Sequence, residues 1–248
     1  MSKEKTIIVT GASRGIGAAI AIALADQGYT VACLSRRGEL PAVPQASTEA
    51  LSRCVAFSCD VTKGDSVREA FAHAAALGKP IVGLVNNAGV HLEGPSDSFP
   101  LADYETVFDT NATSVFVGCQ SVYPHLLKSG GGLIVNIGSF FDKLGVKRNL
   151  AYCASKAAVG AITRCLAVEW AGKGIRVIDV APGYIMTDLN REAMESSALA
   201  DYLEKRIPRR KPGQSDDVAK LVMSLFTIDT PFLSGETIYI DGAQGIAH

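Results

Sequence analysis

Between a β-branched run, Thr6–Thr10, and a helical pattern over residues 15–27 stands Thr10-Gly11-Ala12-Ser13-Arg14-Gly15-Ile16-Gly17. Glycines in the order G-x-x-x-G-x-G permit a tight turn and a close backbone approach. The helix that follows aims its unpaired N–H groups, and the positive end of its dipole, at whatever lies over the turn. Strand before and helix after is the setting in which such a cluster binds a pyrophosphate. Gly11, Ser13, Arg14, Gly15, Ile16 and Gly17 are therefore read as a dinucleotide cradle. The same stretch also spells G-x-S-x-G, the nucleophile elbow of serine hydrolases. That fold needs earlier strands to build its oxyanion hole, and only ten residues precede Gly11. The hydrolase reading fails on topology.

The rest of the chain keeps the same alternation. Strands predicted at Thr30–Leu34, Val55–Ser58, Ile81–Asn86, Leu133–Ile137, Arg176–Ala181 and Thr237–Ile240 are nearly continuous in apolar character. Parallel strands covered on both faces read this way. Helical periodicity occupies residues 66–76, 103–128, 152–171 and 215–227. The expectation is a single-domain α/β fold over residues 1–248, a Rossmann-type, doubly wound parallel sheet of seven strands. Pro41 and Pro44 mark residues 38–45 as loop, with at most a short helix after it. Residues 188–213, rich in charge and carrying Pro208 and Pro212, follow a strand end. Open α/β sheets place ligands there, so this stretch is read as a substrate lid.

The second strand ends Cys33-Leu34-Ser35-Arg36-Arg37, without an acid. An acid at that point grips a ribose 2′-hydroxyl, whereas a 2′-phosphate needs cationic partners. Ser35, Arg36 and Arg37, with Arg14 from the glycine turn, predict NADP(H) as the preferred cofactor and NAD(H) as the alternative.

Tyr152 and Lys156, four apart, share one face of a predicted helix. An ammonium beside a phenol favours the phenolate and is expected to draw the tyrosine pKa down from about 10, making a general acid or base. With seven Tyr and twelve Lys in 248 residues, chance supplies about 0.3 such pairs, so spacing alone decides little. The formal charge of -1, with signs interspersed, argues against a nucleic-acid or membrane-surface partner. No apolar run approaches the length of a bilayer span. Six cysteines without a C-x-x-C pair, and a start lacking an apolar leader, predict reduced thiols in the cytoplasm. The four histidines form no Cys/His cluster, so no metal site is expected.

Taken together, the glycine turn, Asn86-Asn87-Ala88-Gly89, Ser139 thirteen residues before Tyr152, the Tyr152/Lys156 pair and Pro182-Gly183 resemble the short-chain dehydrogenase/reductase family. The resemblance runs from Thr6 to Asp241-Gly242 and is nearest to 3-oxoacyl-carrier-protein reductases and related carbonyl reductases. It implies hydride transfer between nicotinamide and a carbonyl or secondary alcohol. In that reading Tyr152 protonates the carbonyl oxygen, Ser139 hydrogen-bonds it, and Lys156 holds the nicotinamide ribose and lowers the tyrosine pKa. Asn111 would tie the lysine to a proton-conducting water chain; its structural alternative is to satisfy helix carbonyls. Asp60, with Val61 beside it, would bind the adenine amino group, unless it only caps the turn toward Thr62. Asn87, Ala88 and Gly89 would line the ribose, and Pro182, Gly183, Ile185 and Thr187 would hold the carboxamide. The family further implies a homotetramer or homodimer built on the helices near 103–128 and 152–171. Two competitors are a sugar-nucleotide epimerase or dehydratase that recycles bound NAD, and a non-catalytic dinucleotide sensor. Chain length, glycine spacing and the missing acid oppose the first; the intact Tyr152/Lys156 pair opposes the second.

The chain departs from the family pattern after Ser139, where a glycine-rich loop is usual. Here the residues run from Phe140-Phe141 to Ala151. The two aromatics are read as a bulky pocket wall facing Tyr184 and Met186, or else as core beneath the loop. Lys128 and Lys173 are the basic residues left near a carrier-docking entrance, so an acyl carrier protein or CoA thioester remains an open partner. Ile178 stands where asparagine is common, and Ala243 where a second glycine is.

Overall fold

The computed structural model describes residues 5–188, 190–195 and 197–247. Its main sheet has seven parallel strands: β1 (Thr6–Thr10), β2 (Thr30–Ser35), β3 (Cys54–Ser58), β4 (Ile81–Asn86), β5 (Gly132–Ile137), β6 (Ile175–Pro182) and, at one edge, β9 (Thr237–Ile240). A separate ladder joins two short strands, β7 (Ile185–Met186) and β8 (Gly213–Gln214). The spatial order is β3-β2-β1-β4-β5-β6-β9. Its direction of winding reverses between β1 and β4, and the carboxyl ends of those strands open a crevice.

Alternation along each strand builds two cores. Ile7 and Val9 of β1 face α1 (Gly15–Asp26) and α9 (Ser215–Thr227), whereas Ile8 faces the other layer. That layer holds α3 (Gly64–Ala75), α5 (Ser114–Lys128) and α6 (Leu150–Trp170). Each fully buried Ile or Leu here contributes about 1.5–3 kcal/mol of transfer free energy. One polar thread crosses the second core: Asn86 Nδ2 donates to Asn136 Oδ1 at 2.9 Å, and Asn136 Nδ2 to Thr163 Oγ1 at 2.9 Å. The thread ties β4, β5 and α6 together at fixed register, since unpaired amides would be costly at that depth.

One helix differs from the sequence reading. The helix expected over 103–128 begins earlier, as α4 (Leu101–Phe108), and passes through a π turn at Asp109–Thr113 before α5. A π turn inserts one residue into the helical ladder without needing glycine or proline, so apolar periodicity does not register it. α2 (Thr48–Ser52) is the short helix after the proline loop. Residues 188–213 form α7 (Arg191–Glu195), α8 (Ser197–Arg206) and β8, while Leu189 and Ser196 lie outside the described residues. Met194, Leu203 and Ile207 give this excursion a small core of its own, packed on Tyr184 and Met186.

Candidate active site

The glycine turn sits at the carboxyl end of β1, against β4. Asn87 Nδ2 donates to the carbonyls of Thr10 (3.0 Å) and Gly11 (3.2 Å). Thr10 Oγ1 in return accepts the N–H groups of Asn87 (2.9 Å) and Ala88 (3.0 Å). Gly11 has φ +64°, and a Cβ on Gly17 would fall 2.2 Å from the Gly11 carbonyl oxygen. No side chain fits between turn and helix, so α1 begins directly against the turn. Arg14 precedes the helix without capping it, which leaves the first N–H groups of α1 without a side-chain partner there. The Ser13 carbonyl accepts Ala42 N–H at 2.9 Å, pinning the proline loop to the turn.

At the ends of β2 and β3 lie the other cofactor candidates. Ser35 is buried and its hydroxyl accepts Glu39 N–H at 3.1 Å. Arg37 is paired with Glu39 at 2.9 Å, whereas Arg14 and Arg36 are exposed and enter no ion pair among the described residues. Asp60 spends Oδ1 on the Thr62 N–H (3.1 Å) and hydroxyl (2.7 Å), which hold its carboxyl below the ordinary range. Its turn-capping role is thus present. Val61 packs against the second core.

Around the crevice the structure gathers Ile16, Asn87, Gly89, Ser139, Tyr152, Lys156, Pro182, Gly183, Ile185 and Thr187 into one cleft of about 480 Å³. Ser139 and Tyr152 line the same cleft, and the Ser139 hydroxyl accepts Phe141 N–H at 3.3 Å. Lys156 is 5% exposed, and its Nζ donates to the Ile137 carbonyl at 2.7 Å. Asn111 lies behind the cleft in the π turn, fully buried. It accepts Val90 N–H (2.8 Å) and donates to Val90 O (2.9 Å) and Ser155 Oγ (3.1 Å). Its side chain braces the loop backbone after Gly89, not the helix carbonyls of its structural alternative.

The expected electrostatics of the Tyr152/Lys156 pair do not hold in the chain by itself. Burial pushes the Tyr152 phenol above its ordinary value, and the nearby Ser139 hydroxyl only partly offsets this. Lys156 Nζ stands 5.8 Å from the phenol ring centroid, and burial lowers its own pKa to about 8. Desolvation dominates both groups. Asp179, buried in β6, opposes the lysine shift; its carboxyl is raised to about 6, chiefly by burial. The sequence reading missed this acid, which a strand of apolar residues conceals.

His91 was missed as well. Its ring lies 4.7 Å from that of Tyr152, tilted by 56°, and Nε2 is hydrogen-bonded to Asn149 Oδ1. Phe140 and Phe141 are buried and line the cleft, so both of their alternatives apply. Phe141 meets Tyr152 edge-on at 5.9 Å, and Phe140 meets Tyr184 at 5.6 Å. Met186 is a correction: it lines a separate depression beside Gly15 and Ala42, because side chains alternate along β7 and Ile185 takes the cleft side.

The family model for short chain dehydrogenase matches residues 5–198. The chain belongs to the short-chain dehydrogenase family. It is therefore an oxidoreductase of a family that uses a nicotinamide cofactor. Among its relatives, D-threitol dehydrogenase of Mycolicibacterium smegmatis is 34% identical, over 98% of this chain and 93% of that protein. The 3-oxoacyl-[acyl-carrier-protein] reductase FabG of Staphylococcus epidermidis is 33% identical, over 97% of this chain and 99% of its own length. A gluconate 5-dehydrogenase from Burkholderia cenocepacia, solved in complex with NADP and tartrate, superposes with a TM-score of 0.88. It shares 30% identity, over 100% of this chain and 97% of that one. The glycine turn of this short-chain dehydrogenase fits a dinucleotide, since Gly17 lets α1 pack directly on the turn and the first N–H groups of that helix have no side-chain cap.

Proposed function

We propose that this short-chain dehydrogenase is an NADP(H)-dependent carbonyl reductase, working in reverse as an alcohol dehydrogenase, with Tyr152, Ser139, Lys156 and Asn111 as its catalytic group. The observation that carries the reading is the convergence of Ser139, Tyr152 and Lys156 on the wall of one cleft at the carboxyl ends of the sheet strands. The bound nicotinamide supplies hydride for reduction and accepts it in the reverse direction. Tyr152 Oη gives its proton to the substrate oxygen, and Ser139 Oγ hydrogen-bonds that oxygen as charge develops on it. A phenol raised above its ordinary value carries at neutral pH the proton that reduction consumes. Lys156 holds the ribose hydroxyls and keeps a positive charge one helical turn from the phenol. Asn111 positions the Gly89–Val90 backbone against which that lysine packs.

Support for the 2′-phosphate comes from Arg14 and Arg36, cations without ion-pair partners among the described residues, at the ends of the glycine turn and β2. Arg37 is committed to Glu39 and contributes less. Asp60 and Val61 serve the adenine, and Pro182, Gly183, Ile185 and Thr187 the carboxamide. Unpaired cysteines fit a reducing cytoplasm, and Phe116 on α5 with Val168 on α6, both exposed, offer apolar contacts for a homotetramer. The relatives act on polyols and acyl thioesters, so a small carbonyl or alcohol, free or as a thioester, is the substrate class.

A screen of ketones, sugars, quinones and acetoacetyl thioesters with NADPH and with NADH tests this reading. NADPH consumption at a much higher kcat/KM than NADH is expected. Turnover with neither dinucleotide overturns it.

A further inference from the structure

Past the aromatic wall lies a second chamber of about 670 Å³, between the loop after Phe141 and the end of α8. Phe140, Phe141 and Tyr184 belong to both spaces: one side of the wall faces the Tyr152 cleft, the other this chamber. Ring contacts run continuously across it, from Tyr152 to Phe141 at 5.9 Å and from Phe141 to Tyr184 at 6.1 Å.

The chamber has a one-sided charge. Lys147 enters from the loop, and Lys205 and Arg206 from the last turn of α8, while no Asp or Glu lines it. The chain as a whole carries 24 basic and 25 acidic residues, so three cations lining one chamber without an acid is a local departure, although Lys205 also borders a neighbouring depression with Asp201 and Glu204. None of the three enters an ion pair among the described residues; nearby pairs use Arg148 with Glu93 and Arg191 with Asp188. The Arg206 charge reaches the wall, where it acts on the Tyr184 phenol. Converging unpaired cations in a concave space select an oxyanion, and a half-enclosed site screens them less than open solvent does.

We propose that this outer chamber binds an oxyanion, a carboxylate or a phosphate ester, carried by the substrate at the end remote from the reacting carbon. The inference rests on the reading of the Tyr152 cleft as the reducing site. The substrate is then a keto or hydroxy compound with an anionic tail, long enough for the two ends to lie on opposite sides of the Phe141 ring. Lys147, Lys205 and Arg206 set that preference without touching the reacting atoms.

Calorimetric titration of the protein saturated with NADP+ tests this, because the bound dinucleotide already occupies Arg14 and Arg36. The probes are 4-phenylbutyrate, 4-phenylbutyl phosphate and the neutral 4-phenylbutanamide. At least one anion should bind about tenfold tighter than the amide at low salt, and the tighter of the two identifies the natural headgroup. In Lys205→Gln/Arg206→Gln, two exposed replacements, the advantage should shrink to about twofold. Equal binding of amide and anions, no measurable binding of either anion, or an undiminished preference in the double variant overturns the proposal. The titration needs no turnover. A Tyr152→Phe variant that kept full activity would remove the reducing site while leaving the anion preference standing, so the two failures are separable.

Discussion

Lys156 donates its Nζ proton to the Ile137 carbonyl at 2.7 Å, so the ammonium one turn beyond Tyr152 is anchored to the end of β5 and not to the phenol. The lysine is held as a fixed point charge in the floor of the cleft. Asp179, on the neighbouring strand β6, is the carboxylate that favours that charge.

The arrangement sets a pH dependence. A lysine with a pKa of about 8 is charged below that pH and loses its charge as pH rises through it. The kcat/KM for the dinucleotide, which reports the free enzyme, should therefore fall above about pH 8. Asp179→Asn removes the carboxylate that raises the lysine pKa, so the midpoint should move to lower pH. A pH–rate profile of both proteins checks the shift; identical midpoints would remove Asp179 from this role.

Cofactor choice should separate two adjacent arginines. Arg36→Ala should raise the KM for NADPH about tenfold or more, the value of a lost charge-assisted hydrogen bond, with little effect on NADH. Arg37→Ala should do less, because Glu39 already holds that side chain. Steady-state kinetics with both dinucleotides distinguishes the two.

Ala243 has φ +70°, a left-handed backbone that glycine adopts without cost, and its side chain is exposed. Ala243→Gly should stabilise the protein by about 1 kcal/mol. In a domain of this size that corresponds to a Tm increase of about 2–4 °C, measurable by calorimetry.

Much of this was legible in the sequence, for identifiable reasons. The glycine turn and the strands could be read because a covered parallel sheet demands long apolar runs, and a phosphate cradle demands glycine at fixed spacing. The contact between His91 and Tyr152 could not, since it depends on Asn149, 58 positions away from His91, orienting the imidazole. The direction of the Tyr152 shift was misjudged because spacing places two groups on one face but says nothing of how much water reaches them. Met186 was assigned to the wrong side because the two-residue strand β7, and hence the alternation of its side chains, was not anticipated. The chamber beyond Phe141 draws on residues 140–147, 202–208 and the end of the chain, which only the fold brings together.

The most direct test of the proposed chemistry is the kcat of Tyr152→Phe for ketone reduction, measured beside NADPH binding by fluorescence. Phenylalanine keeps the ring contacts with His91 and Phe141 and removes only the hydroxyl. The expected result is a loss of about 10²–10⁴-fold in kcat, the usual contribution of a positioned acid, with dinucleotide affinity retained. A kcat within about twofold of the unsubstituted enzyme would contradict the assignment of Tyr152 as the proton donor.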